Sequence, residues 1–505
     1  MRRTTTQTTQ LEHVDVLIVG AGIAGIGLAC HLSRKQPGRT FAVVEARDAI
    51  GGTWDLFRYP GIRSDADLYT YGFGFKPWTR DNAIADAHEI LDYLQETIDE
   101  NDLARHIHVG HKVLRADFSR EQARWTVTLE RAGDGEQFNA TCGVLVSAAG
   151  YFDYDQGYTP DFAGREDFRG DIVHPQQWPE DLDYAGKKVV VIGSGATAVT
   201  LLPAMADTAG HVTMLQRSPS YVIPIPRQDP IANRLRRLLP DTAVHTIARK
   251  LNSARTYLIV ALSQRYPKLV RRLVRWINTR ALPEGYAVDT HFNPRYNPWD
   301  QRMCMVPDSD MFKAISRGAA SVVTDRIVRF TERGILLESG GELDADIVVT
   351  ATGLKMVPFG KIDLHVDGQP IDVHEHLIYK SMMLSDIPNF AFIIGYTNNS
   401  WTLKVDLVAD HLCRLLAHMD RHGYETVTPV AHNEIGARRP YIDMGSGYLS
   451  RAMHLFPQRG SDVPWAADQD YKVDRVQLGA VADPALRFTE SMIDSTATSA
   501  EVVTV

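Results

Sequence analysis

The sequence predicts an α/β protein with two Rossmann-like dinucleotide-binding domains, the second inserted into the first and carrying a helical insert. Three observations predict it. Two apolar strands each run into a glycine-rich turn and a helix. The next strand after each turn ends in a residue suited to a ribose. Two further strands end in glycine where the chain would cross between the units. Length agrees, since 505 residues are too many for one core and two or three domains are expected.

The first unit opens with VDVLIVGAGIAG, an apolar strand that turns into the helical run GIGLACHLSRK. Gly20, Gly22 and Gly25 give GxGxxG, with Ala24 inside it. The first glycine allows the turn, the second lets backbone approach a pyrophosphate, and the third brings helix and strand together. The helix N-terminus then offers free N–H groups and the positive end of its dipole. The second strand, TFAVVEAR, ends in Glu45, placed to bind a ribose diol.

The second unit repeats the pattern in KKVVVIGSGATA, where Gly193, Gly195 and Ala198 frame Ser194, Ala196 and Thr197. Its second strand, HVTMLQRSPS, ends at Gln216 and Arg217 instead of an acid. A carboxylate there would repel a 2′-phosphate. A guanidinium pairs with it through charge-assisted hydrogen bonds worth about 1.5–3 kcal/mol, which favours NADPH over NADH. Two such folds suggest one nucleotide held permanently and another that visits, and FAD reduced by NADPH is the simplest pairing. The crossings fall at CGVLVSAAG (Cys142–Gly150) and ADIVVTATG (Ala345–Gly353). The expected boundaries are 1–150 and 356–505 for the split FAD domain and 151–355 for the NADPH domain, with the insert at about 222–300.

Composition narrows the function. A net charge of -8 argues against nucleic-acid binding, and no apolar run is long enough to span a membrane. The start, MRRTTTQTTQLEHVD, lacks the apolar centre of a signal peptide. The four cysteines, Cys30, Cys142, Cys304 and Cys413, show no metal-ligand spacing, so no metal is expected and a reducing cytoplasm fits. Disulfide reductases share the two-nucleotide layout but need a cysteine pair beside the flavin, and Cys30 has none in sequence. In its place stands GGTWDLFRYPGIRSDADLYTYGF, a glycine- and aromatic-rich loop able to cover a flavin and present charge to it.

Between the two units lies FRGDIVHPQQWP, which fits FxGxxxHxxxWP through Phe168, Gly170, His174, Trp178 and Pro179. That comb, the two nucleotide motifs, GGTWDLFRYPGIRSD and DQRMCMVPDSDMF resemble the Baeyer–Villiger monooxygenases over residues 14 to 470. Segments such as GIRSDADLYT, HFNPRYNPWDQR and GYTNNSWTLKVDLV are most like the ethionamide-activating branch of that family. The resemblance implies an FAD enzyme that uses NADPH and O2 to turn ketones into esters or lactones through a C4a-peroxyflavin, and that also oxidises sulfides and thioamides. The nearest alternative, an N- or S-oxidising flavin monooxygenase, makes no ester. A nucleotide-binding redox sensor without turnover is a rival of another class.

By the same resemblance Arg302 is the cation that keeps the reactive oxygen adduct unprotonated, and Asp65 orients it. Arginine suits because it stays charged at any working pH. Flavin contacts are expected at Thr53, Trp54, Asp55, Leu56, Asp65, Tyr71 and Val113. Nicotinamide-side contacts are expected at Arg63 to Asp65 (Ser64 between them), at Gly193 to Ala198, and at Gln216 with Arg217. Many family members carry a lysine just before the arginine, whereas this chain has Gln301, so NADPH preference rests mainly on Arg217. The comb is read as a coupling element on the linker into the NADPH domain, with His174 able to exchange hydrogen-bond partners.

From Arg227 to Arg280 there are thirteen Lys or Arg residues and only two acids, with apolar residues at helical spacing as in KLVRRLVRWI. This predicts a helical insert with a solvated cationic face, or one that rests on anionic lipid. The tail after residue 490 reads as disordered.

Overall fold

The computed structural model describes residues 11–490 apart from 302, 398, 432–435, 443–450 and 468. Arg302 and the C-terminal tail therefore lie outside the described residues.

β1 (His13–Val19) turns at Gly20 into α1 (Ile23–Lys35), and β2 (Phe41–Glu45) returns parallel to β1. β1 is apolar throughout because both its faces are covered: Val16 and Ile18 enter one core and Leu17 the other. A one-turn helix, α2 (Leu68–Tyr71), follows the aromatic loop. β3 (Gln137–Ser147) lies parallel to β1 on the side away from β2 and is extended by the antiparallel pair Arg124–Arg131 and His111–Ser119. The chain leaves this sheet through β4 (Phe152–Gly157).

The pattern then repeats. β5 (Lys188–Ile192), α3 (Ala196–Met205) and β6 (His211–Gln216) rebuild the strand–helix–strand unit. The insert follows as α4 (Asp241–Arg265) and α5 (Pro267–Ala281), and β7 (Cys304–Pro307) leads back. β8 (Ala320–Thr324) and β9 (Ile347–Thr350) complete an all-parallel sheet in which Asp171–Val173, from the comb, is the edge beside β9. Val189 and Val191 of β5 face one core while Val190 and Ile192 face another, again a two-sided burial.

The return strand β10 (Leu354–Met356) pairs antiparallel with β4, so outgoing and incoming chain form one two-stranded linker. β11 (Phe390–Phe392) joins β3, α6 (Trp401–His422) packs on α1, and α7 (Tyr471–Gln477) packs on α6. Among the described residues, no helix is long and apolar enough to cross a membrane.

Two buried histidines make the fold acid-sensitive. His245 on α4 accepts a hydrogen bond from the Trp78 amide through Nδ1, and His411 on α6 donates from Nδ1 to the Leu478 carbonyl. Their Nε2 atoms have no partner among the described residues, and burial pulls both pKa values down to about 4. The unfolded chain, with histidines near 6.5, takes up protons first as pH falls. Stability is therefore lost between about pH 6.5 and 4, by roughly 3 kcal/mol per group at the acid end. Thermal midpoints across that range should fall, and His411→Leu should flatten the fall; an unchanged profile in that variant would refute the assignment.

Candidate active site

The two glycine motifs are built by the same steric rule. Gly20 has φ +105, and a Cβ there would meet the Ala148 carbonyl oxygen at 2.8 Å. Gly193 has φ +141, and its Cβ would meet the Ala351 oxygen at 2.3 Å. Each turn thus sits against the end of the strand that crosses between domains. α1 and α3 both start from a glycine, Gly22 and Gly195, with no side-chain cap, so their first N–H groups stay open to an anion.

A cavity of about 390 Å³ gathers most of the expected flavin-side residues: Gly20, Gly22, Ala24, Glu45, Thr53, Trp54, Arg63, Ser64, Asp65, Tyr71 and Val113. Glu45 accepts hydrogen bonds from the amides of Ala21 at 2.8 Å and Arg47 at 3.0 Å. Burial raises its pKa, and those two N–H groups oppose the rise. Trp54 donates from Nε1 to the Tyr71 hydroxyl at 2.9 Å, with the rings edge to face, so the two lock one wall. Asp67 caps α2 by accepting from the Thr70 amide, which fixes Tyr71 one residue further on.

Several expected contacts stand off this cavity. The Asp55 carboxylate is buried and paired with Arg47 and Arg58, while Leu56 packs into the core of the second domain. Gly25 lies behind the turn, where a Cβ would come 1.9 Å from the Gly20 oxygen. Of the second motif, Ala196 lines the cavity; Gly193, Ser194, Gly195, Thr197 and Ala198 do not. Thr197 instead lies beside Tyr59, itself a cavity residue. Gln216 is buried, its amide donating to the His291 carbonyl and the Thr324 hydroxyl. That engagement turns it away from the cavity, whereas Arg217 is exposed at the strand end.

The comb sits on the two-stranded linker. His174 donates from Nε2 to the Gly353 carbonyl at 3.2 Å and accepts the Gln176 amide on Nδ1 at 3.1 Å. Burial lowers its pKa, consistent with this neutral tautomer. Gly157 is glycine because a Cβ would lie 1.9 Å from the His174 ring. Gln176 donates to the Asp153 carbonyl at 2.7 Å, so the comb grips both β4 and the residue before β10. Phe168 meets Phe330 edge to face, Gly170 leaves room for the Phe168 ring, Trp178 packs into the second domain, and Pro179 is exposed.

The chain matches the model of flavin-binding monooxygenase-like (FMO-like) proteins over residues 77–394, and that of NAD(P)-binding Rossmann-like domains over residues 18–84. It is 50% identical over 482 residues to the FAD-containing monooxygenase EthA of Mycobacterium tuberculosis, covering 95% of this chain and 98% of that protein. The chain belongs to the FMO-like flavin-binding monooxygenase family. Its fold is that of a steroid monooxygenase bound to NADP (TM-score 0.76, 22% identity, 95% and 100% of the chains) and of an open cyclohexanone monooxygenase (0.75, 20%, 95% and 100%).

Within this flavin-binding monooxygenase, sequence reasoning points to the loop GYTNNSWTLK as a shaper of the pocket, and that loop lines it, but it misses the wall around Tyr151 and Lys361. Tyr151, Asp153 and Asp155 come from the start of the linker, Lys361 from the turn after β10, and Tyr396, Asn399, Ser400 and Trp401 from the loop into α6. Lys361 bridges Asp153 and Asp155, 2.6 Å from each, so one ammonium pins the outgoing strand to the incoming one. The signal was the position of Tyr151, directly after the crossing glycine Gly150.

Proposed function

We propose that the chain is an FAD-containing, NADPH- and O2-dependent monooxygenase that converts ketones to esters or lactones and also oxidises sulfides and thioamides. The observation that carries this reading is a single cavity that reaches from the first glycine turn and Glu45 to Ala196 and Met305 of the second domain. FAD fits the residues present: the open N-terminus of α1 for its pyrophosphate, Glu45 for a ribose, and the Trp54–Tyr71 wall for its ring. When bound, it supplies electron storage and oxygen activation. The open N-terminus of α3 and the exposed Arg217 suit NADPH. Four free, buried cysteines agree with a reducing cytoplasm. The FAD domain is split around the NADPH domain, and the comb, gripping both linker strands, couples their movement.

Arg302 and Asp65 remain the proposed catalytic pair. Arg302 stands three residues before the cavity residue Met305, and Asp65 lines the cavity. A fixed cation there holds negative charge on the reacting oxygen and keeps a proton from it. The test is a ketone and a thioether incubated with the enzyme, NADPH and labelled O2. An ester carrying one labelled atom is expected; sulfoxide without ester would establish the N- or S-oxidising alternative, and NADPH use without any product would reject both. In Arg302→Ala, flavin reduction by NADPH should persist while oxygenated product falls by about 10²–10³. Undiminished product would remove Arg302 from the mechanism.

A further inference from the structure

The helical insert is packed inside out. The buried line of α4 runs through Val244, His245 and Ala248 but continues with Asn252 and Ser263, and α5 buries Val274 and Asn278. Ser263 and Asn278 are fully buried, with their side-chain polar atoms unpartnered among the described residues. The large apolar side chains point the other way: Leu258 is 56% exposed, Leu269 65%, Leu273 51% and Trp276 52%. Of 19 exposed large hydrophobic residues among the described ones, 13 fall between Ile231 and Trp276. An ordinary surface helix turns its apolar stripe inward, and monomers rarely expose such a patch without a partner.

The patch is also cationic. No acid occurs between Asp241 and Glu284, although the chain as a whole is anionic. Arg249 and Arg275 are held by Asp406 and Asp289, whereas Lys268, Arg272 and Arg280 are exposed and, among the described residues, in no ion pair. Arg280 lies 4.4 Å over the Trp276 ring and Arg265 5.6 Å over Tyr266, each with its charge beside an exposed aromatic. The surface extends further, because Lys472 of α7 sits 3.6 Å above Tyr257 of α4. α7 exposes Val476 on the outside, while its buried Asp474 accepts a hydrogen bond from Tyr396 of the cavity wall.

We propose that the outer face of α4, α5 and α7 docks this enzyme on an anionic phospholipid surface. Apolar side chains amid unpaired cations, with aromatics at the boundary, match the interfacial region of such a bilayer. A second copy of the chain is the poorer occupant: a two-fold contact would set this predominantly cationic face against itself. One helix separates the docking face from Tyr396, so the substrate class, resting on the monooxygenase reading, is a long-chain apolar ketone or sulfide drawn from the bilayer.

The test uses the full-length flavoprotein with sedimenting vesicles of phosphatidylcholine alone or mixed with phosphatidylglycerol. Pelleting with the anionic vesicles, loss of it at high salt, and none with phosphatidylcholine alone are expected. Leu273→Glu with Trp276→Glu, and separately Lys268→Glu with Arg272→Glu, should weaken pelleting by roughly tenfold or more. Because these residues are exposed and remote from the cavity, melting temperature and turnover of a water-soluble ketone should be unchanged. A long-chain ketone supplied in anionic vesicles should show a lower KM than in neutral ones, and the substitutions should erase that gap. No pelleting with anionic vesicles at low salt would overturn the proposal, as would equal binding to both compositions. Self-association abolished by the same substitutions, without lipid binding, would assign the face to a second copy. Sedimentation decides docking even if no ketone is turned over, which would instead sink the ketone-oxidising reading.

Discussion

Gly25→Ala is expected to give a colourless protein that no longer retains FAD. The added Cβ would lie 1.9 Å from the Gly20 carbonyl oxygen, well inside contact distance, and 3.5 Å from Ala148 Cβ on the far side. α1 is buried from Ile23 to Leu32 and cannot slide outward to make room, so the turn itself must move. Moving it swings the N-terminal N–H groups of α1 off the pyrophosphate position. Losing two charge-assisted hydrogen bonds is worth about 3–6 kcal/mol, or roughly 10²–10⁴ in affinity. Flavin absorbance after desalting checks it, and stoichiometric yellow protein would show that α1 does not hold the cofactor. The second motif supplies the contrast: it already carries alanine at the matching position, Ala198, fully buried, so Ala198→Gly should leave FAD retention unchanged.

That contrast shows what a sequence can reveal here. The glycine turns and Glu45 are legible because each constraint is local: a carbonyl a few atoms away forbids a Cβ, or a strand end points a carboxylate back at the turn. Asp55 sits in the same loop as the wall residues Thr53 and Trp54, yet its carboxylate is taken by Arg47 and Arg58, which the sequence does not show. Gln216 sits at the end of β6 with its side-chain amide engaged by His291 and Thr324, partners that only the folded second domain supplies. The comb was recognisable as a pattern, but its partners Gly353, Gly157 and Phe330 are brought to it only by the linker and the second sheet. The insert is the clearest case. Helical spacing in KLVRRLVRWI announced a helix with a cationic face that is solvated or rests on anionic lipid, but spacing alone cannot say which face meets the protein. There the buried places went to Val274 and Asn278, leaving Leu269, Leu273 and Trp276 outside.

The loop GYTNNSWTLK shows how distant residues complete a wall that sequence cannot size. Tyr396 faces the cavity with its ring, while its hydroxyl is taken by Asp474 on α7, 78 residues away. Lys404, in the first turn of α6, gives its ammonium to the same carboxylate oxygen and lies 5.3 Å from the Tyr396 ring centre. The cavity end is therefore set by a three-residue polar network that carries no chemistry of its own.

Breaking that network should produce the largest stability loss of any substitution considered. In Asp474→Ala the Lys404 ammonium, 2% exposed, loses its counter-charge while remaining buried. Its place in the first turn of α6 adds the unfavourable positive end of the helix dipole. Removing one partner of a buried pair costs about 3–5 kcal/mol, which at about 2–4 °C per kcal/mol for a mid-sized domain is a fall of roughly 10 °C in the melting temperature. Burial already lowers the Lys404 pKa, and Asp474 is the group that opposes the fall. Without Asp474 the folded value drops further while the unfolded lysine stays near 10.4. Between those values the unfolded chain binds more protons, so the variant should regain stability as pH rises through that window. Replacing the network as a whole, by Asp474→Leu with Lys404→Met and Tyr396→Phe, leaves no buried polar group unpaired and should restore the melting temperature to near that of the parent. Calorimetry across pH separates the outcomes: a near-parental melting temperature for Asp474→Ala, or no recovery at alkaline pH, would mean that Lys404 finds another partner and that Tyr396 is held by packing alone.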